Sequence, residues 1–307
     1  MPNELLIRVV LHGGVMPGVV AFLLLGAVWW RFAKGSGTET DGEKGGPVGA
    51  RGPRWALPLL MAVGFGMAFW VLEQSFELWP AANTRRLYHA ALLVGLAGIA
   101  EGVFRMPWIL RGVLRAAAFA GTTWMLTEGY SPNVLTPAQL WLLVGGAGVA
   151  GAVVAGLADG GLGRTTGWTG PLAALVLFGA LQPFLHIAGY SSGSIALTGV
   201  LAVLSSALLV SFVFRSMTLG GGTATVLVGL VLISLLGAGV QSEPKSVPAL
   251  LLVAVAPLAL GLRLRGPRHT LLLRGAVVSL AMGAGLGLVL TAGGDGADAY
   301  DPYADYE

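Results

Sequence analysis

Ten long apolar runs constrain this 307-residue chain more than any other feature. They lie at about 12–32, 55–74, 87–104, 108–128, 138–158, 170–189, 194–214, 223–241, 247–262 and 270–291. A helix of roughly 20 residues crosses the ~30 Å hydrocarbon core of a bilayer. The runs are continuous and do not alternate, which argues against the strands of a transmembrane barrel. Only 11% of the residues are charged, against roughly 25% in soluble domains. Such a chain could not cover its own core in water, whereas in lipid it needs no polar cover. The expected fold is all-α: a polytopic helical membrane bundle of about ten transmembrane helices, forming a single domain over residues 1–291. The run from Gly13 to Trp30 is longer than a signal-peptide core and is expected to stay as the first span.

The breaks between runs carry loop chemistry. Residues 33–54, rich in glycine and charge, form the one long internal loop, and Ser131-Pro132-Asn133 and Ser242-Glu243-Pro244-Lys245 make shorter ones. Counted through ten spans, the loops 31–54, 105–115, 159–169, 215–222 and 263–274 fall on one side. They hold fourteen of the eighteen Lys and Arg residues, leaving Arg8, Arg85, Arg86 and Lys245 for the other. Positive charge marks the cytoplasmic side. That side therefore receives loop 33–54, and both termini are extracytoplasmic. Tyr88, Trp124, Tyr130, Trp141 and Tyr190 near the outer ends, and Trp30, Trp55, Trp108 and Trp168 near the inner ends, read as the two interfacial aromatic belts. Three lysines beside fifteen arginines, in an Ala- and Gly-rich chain, fit a GC-rich bacterial gene. With the charge bias, this points to a bacterial cytoplasmic (inner) membrane.

The absence of cysteine removes disulfides, thiolate catalysis, iron–sulfur clusters and cysteine zinc sites. No cofactor and no metal site is expected. The net charge of +3 is small and topology accounts for the basic residues, so nucleic acid is not an expected partner.

Ionisable residues inside spans are costly and mark candidate sites. Glu101 lies just inside the cytoplasmic end of the third run. Arg111 and Arg115 lie one turn apart at the start of the fourth, so a tight hairpin can set Glu101 opposite either arginine. These three are the candidates for a gate or a substrate-carboxylate site, or for one structural ion pair. A second, outward group comprises Glu73, Glu77, His89 and His186, with Arg85, Arg86 and Glu128 nearby. It reads as an outer polar rim, or as an outward metal or proton site, with nothing in the spacing specific to a metal. Gln182 and His186 flank Pro183 and can satisfy the carbonyl that proline frees, or bond a neighbouring helix. The span centres offer Thr122, Thr123, Ser205 and Ser206 but no acid or lysine.

Small residues recur every four positions at Gly148, Ala152, Gly156 and Gly160, at Gly283 and Gly287, and at Ala281 and Gly285. These are close-contact faces, inside the bundle or against another subunit. The tail 292–307, acidic and carrying Tyr300, Tyr303 and Tyr306, is expected to be disordered and extracytoplasmic, and is a candidate docking peptide. Gly189-Tyr190-Ser191-Ser192-Gly193 matches the G-x-S-x-G pattern, but between two spans and not on a strand-to-helix turn, so no nucleophile is assigned.

Three functions fit these residues: small-solute transport or binding within the bundle, a non-catalytic subunit or scaffold of a bacterial envelope complex, and an intramembrane enzyme acting on lipid through the outer His and Glu residues. The bilayer itself is the one partner all three share. The cysteine-free chain makes orientation testable. A cysteine at Ser36 is expected to resist a membrane-impermeant maleimide in intact spheroplasts, and one at Asn133 to react. The opposite pattern would invert the topology.

Overall fold

Helix boundaries follow the proline, glycine and hydroxyl punctuation of the chain. The computed structural model describes residues 7–35, 54–73, 86–104, 106–128, 136–215, 217–241, 247–264 and 266–294. Within them the elements are α1 (Met16–Gly35, entered through a π-helical stretch Val9–Val15), α2 (Ala56–Glu73), α3 (Leu87–Val103), α4 (Trp108–Thr127), α5 (Pro137–Leu162), α6 (Thr169–Ile187), α7 (Ser191–Val213), α8 (Gly222–Gln241), α9 (Val247–Ala254, continued by a 3-10 turn Ala256–Gly261) and α10 (Pro267–Gly294). Thr136 and Gln139 close a capping box ahead of α5, with Pro137 at its first position. The described residues contain no strand, only a single bridge between Thr166 and Thr218.

The ten helical segments coincide with the ten apolar runs. By length and apolar content, six are long enough to cross a bilayer: those spanning Val9–Arg31, Pro137–Leu162, Thr169–Ile187, Ser191–Val213, Gly222–Gly239 and Pro267–Thr291. Ala56–Leu72, Leu87–Val103 and Val247–Gly261 are apolar but shorter. Helix α4 has the length but carries Arg111 and Arg115. The described residues are thus all-α, with six helices long and apolar enough to cross a membrane.

Helix α8 is the axis of the bundle. Its membrane-length window is 83% buried, against 22% for α5 and 28% for both α1 and α10. It carries no charged residue, and its contacts run to α3, α4, α5 and α9. Helices α2 and α7 pack closely, with α1 lying against α7, while α10 covers α6 and α9. The core is filled by Phe65, Phe119, Phe178, Leu177, Leu181 and Leu185.

Two helix pairs approach backbone to backbone at glycine. A methyl group on Gly222 of α8 would run into the Gly98 carbonyl of α3, and one on Gly199 of α7 into the Gly64 carbonyl of α2. Small residues allow helices to approach this way in lipid. The periodic glycines predicted from sequence behave less uniformly. Gly148 lies against the Ala116 carbonyl and Ala120 of α4, a contact inside the bundle. Gly156 lies near the Arg115 guanidinium, but nothing lies within 4 Å of a Cβ placed at Gly160, Gly283 or Gly287. On α10 the internal contact is made by Gly285, against Val253, Phe184 and the Ala249 carbonyl.

The aromatic belts also need one correction. Trp30, Trp55, Trp108 and Trp141 are exposed, but Tyr190 is fully buried. Its ring is clasped between Gly193 and Gly237, so it is a core residue at a helix end and not an interfacial anchor.

Gly222→Ala is expected to lower stability by about 1–3 kcal/mol through overpacking, and Gly283→Ala to change it by less than about 0.5 kcal/mol. Thermal unfolding of the two purified variants in detergent checks the contrast.

Candidate functional site

The α3–α4 hairpin turns over Phe104–Pro107. Phe104 leaves α3 in extended conformation and Pro107 starts α4 from extended backbone, as proline favours. Glu101 therefore sits near the end of α3 while Arg115 sits two turns into α4. Helical side chains lean toward their helix N-terminus, so Arg115 reaches back toward the hairpin and meets Glu101. The pair is bidentate: Nε donates to Oε1 at 2.9 Å and Nη2 to Oε2 at 2.6 Å. Both side chains are almost completely buried, at 4% and 0% exposure.

Three more groups complete the network. Thr225, in the first turn of α8, donates to Glu101 Oε1 at 2.7 Å and accepts from Arg115 Nε at 3.0 Å. Asp159, in the last turn of α5, accepts from Arg115 Nη2 at 3.2 Å and from Arg111 Nη1 at 3.3 Å. Its other oxygen accepts the Gly221 N–H at 2.8 Å. Gly221 has φ +76°, a left-handed conformation that glycine adopts freely and that presents this N–H at the start of α8. Two cations and two anions thus neutralise one another where α3, α4, α5 and α8 meet. The loop residues of this end cluster around it: Gly102 lies against Arg54 and Trp55, Gly161 against Leu260 and Gly261, and Gly167 N–H bonds the Met217 carbonyl at 2.8 Å.

Of the sequence candidates, Glu101, Arg111 and Arg115 are brought together. Glu101 takes Arg115, and Arg111 takes Asp159. Asp159, Thr225 and Gly221 were not among the candidates. One signal for Asp159 was present: it is the only acid between Glu128 and Glu243. Of the outward group the structure describes only part. Glu77 and Arg85 lie outside the described residues, as does the Glu73 side chain. His89 is partly buried and stacks beside Tyr88, with ring centroids 4.2 Å apart. His186 is exposed, with Nδ1 3.3 Å from Ser191 Oγ. Arg86 instead forms a 3.0 Å ion pair with Glu128, tying the start of α3 to the end of α4. Among the described residues, no three His, Asp or Glu side chains are placed to hold a metal ion.

Other polar groups act as internal fasteners. Gln182 donates to Thr198 at 3.2 Å, linking α6 to α7 as proposed for the residues around Pro183. Ser206 donates to the Gly18 carbonyl at 2.7 Å, linking α7 to α1. Tyr130, the tail with Tyr300, Tyr303 and Tyr306, and most of loop 33–54 lie outside the described residues. Comparisons with known protein families, with curated proteins and with solved structures found no match.

Removing one member of a buried ion pair strands the other, at a cost of about 3–5 kcal/mol. Arg115→Ala is therefore expected to be strongly destabilising. The double variant Glu101→Ala/Arg115→Ala is expected to recover part of the loss. Thermal unfolding of the three proteins measures the coupling; equal losses that simply add would show that the two side chains do not interact.

Proposed function

We propose that this chain is a ten-span protein of a bacterial inner membrane, with both termini outside, that binds or passes a small solute within its helix bundle. In this reading the Glu101–Arg115–Asp159–Arg111 network is the gate at the cytoplasmic end. The observation that carries it is the sharing of Arg115 between Glu101 and Asp159, at 2.6 Å and 3.2 Å from the same nitrogen. A cation with two competing carboxylates on separate helices has two alternative pairings. Partner exchange would shift α5 against α3 without ever leaving Arg115 uncompensated. Packed interfaces of this sort move between discrete arrangements. The neutral sum of the four charges lowers the cost of keeping such a device in an apolar bundle.

The test has two steps. Thermal unfolding of the purified protein against a panel of carboxylates, phosphates, amines and neutral solutes picks out a stabilising compound. Uptake of that compound into proteoliposomes is then compared for wild type, Glu101→Gln and a control, Arg31→Gln. Uptake is expected to fall at least about tenfold in Glu101→Gln, equivalent to ~1.4 kcal/mol, and to persist in the control. Unchanged uptake in a correctly inserted Glu101→Gln protein would remove the gate.

A second reading, a scaffold subunit of an envelope complex, draws on the uncovered Gly283 and Gly287 on α10. Gentle affinity purification from native membranes separates the two. A stoichiometric partner lost in Gly283→Leu supports the scaffold, and recovery of the chain alone supports the carrier.

A further inference from the structure

The Glu101 network spends every charge it buries, but a second buried cation is not compensated in this way. Arg274, on α10, is 1% exposed and is the largest fully buried side chain among the described residues. It lies seven residues into α10, roughly 10 Å along the helix axis from its start. Its Nε donates to the Leu262 carbonyl at 3.0 Å. Its Nη1 and Nη2 are both buried and make no hydrogen bond. A guanidinium has five N–H donors and no acceptor, so four of the five are unused.

No carboxylate described in the structure can serve Arg274. Glu101 is held by Arg115 and Thr225, Asp159 by Arg111, Arg115 and Gly221, and Glu128 by Arg86. The charge that acts on Arg274 among the described residues is Arg263, also positive. Arg263 belongs to the short non-helical segment Leu262–Leu264, whose first carbonyl takes the Arg274 Nε. Thr270 fastens the same segment to α10 through both the N–H and the carbonyl of Leu264, at 3.0 and 3.2 Å. The chain therefore holds two arginines at one place, one deep and one at the surface above it, with the free edge of the deep guanidinium unbonded.

Two neighbouring cations with no acid beside them among the described residues leave room for a bound anion. A guanidinium edge with paired N–H groups matches two oxygens of a phosphate. Its depth, about two turns below the start of α10, is the level at which a lipid phosphate or a phosphate drawn in from the aqueous face would meet it. We propose that Arg274 and Arg263 form a phosphate-binding site beneath the Leu262–Leu264 segment. The site takes a phosphate group, carried by an anionic phospholipid or free in solution. It is separate from the Glu101 network and does not depend on whether the bundle carries a solute.

The test is thermal unfolding of the full-length, delipidated protein in neutral detergent at constant ionic strength. The probes are inorganic phosphate, with chloride as control, and phosphatidylglycerol, with phosphatidylcholine as control. A saturable rise in Tm is expected with at least one probe. A rise with phosphatidylglycerol alone assigns the site to a lipid headgroup, and a rise with phosphate as well assigns it to the free anion. Arg274→Met is expected to abolish the shift. Arg268→Gln, at an exposed arginine one turn and a half away on the same helix, is expected to keep it. If Arg274→Met does not fold, Arg274→Lys replaces it, with binding expected to weaken by about tenfold or more because the fork is lost. No saturable shift with either probe in the wild type, or the same affinity in the Arg274 variants, would overturn the proposal.

Discussion

The bidentate contact between Glu101 and Arg115 holds together charges that their own helices disfavour. Helix N-termini are partially positive and C-termini partially negative. Glu101 and Asp159 nevertheless sit in the last turns of α3 and α5, and Arg111 and Arg115 in the first two turns of α4. Each charge is at the unfavourable end, a penalty of roughly 0.3–1 kcal/mol apiece in exposed helices. Side-by-side antiparallel packing turns this to advantage. It brings the ends of α3 and α5 to the start of α4, so opposite charges that are misplaced singly are well placed as a group. Thr225 and the Gly221 N–H then fill the lone pairs that the arginines leave. The convergence of four helices at this end rests on that mutual correction.

Away from the network, the bundle is held by approach rather than by polarity. The Gly98–Gly222 and Gly64–Gly199 contacts bring backbone to backbone and fix α3 against α8 and α2 against α7. Lipid offers no hydrophobic gain for helix association, so dense van der Waals contact must supply it. Hydroxyl fasteners such as Ser206 to Gly18 and Gln182 to Thr198 add direction at a few points. The two mechanisms occupy different regions: polar pairing dominates one end, and close packing the length.

Most of the architecture was legible because apolar length and proline–glycine breaks are local signals. The ten helices fall on the ten runs, and the tight hairpin set Glu101 opposite Arg111 or Arg115 without deciding between them. Neighbours in space were not legible. Asp159 looked like a loop acid because its run of apolar residues had just ended, and nothing in the sequence says that α5 ends beside the start of α4. Arg274 looked like one more basic loop residue, whereas α10 carries it inside the protein. Tyr190 looked interfacial because position along a span predicts depth but not direction. Glycine periodicity marked helices that could approach closely, but Gly148 and Gly283 have the same pattern and opposite surroundings. In each case the missing information is which face of a helix meets which partner.

The burial of α8 bears on how such a protein is made. A chain enters the membrane from its N-terminus, so the helix with 83% burial is delivered after the seven that precede it. Until then, α3, α4 and α5 have no axis to pack on, and Gly98 has no Gly222 to meet. Those three helices can still cancel their own charges, because Glu101, Arg111, Arg115 and Asp159 all lie within them. Self-neutralisation among early helices gives the growing bundle an intermediate that lipid can tolerate, with Thr225 and Gly221 arriving last to close it.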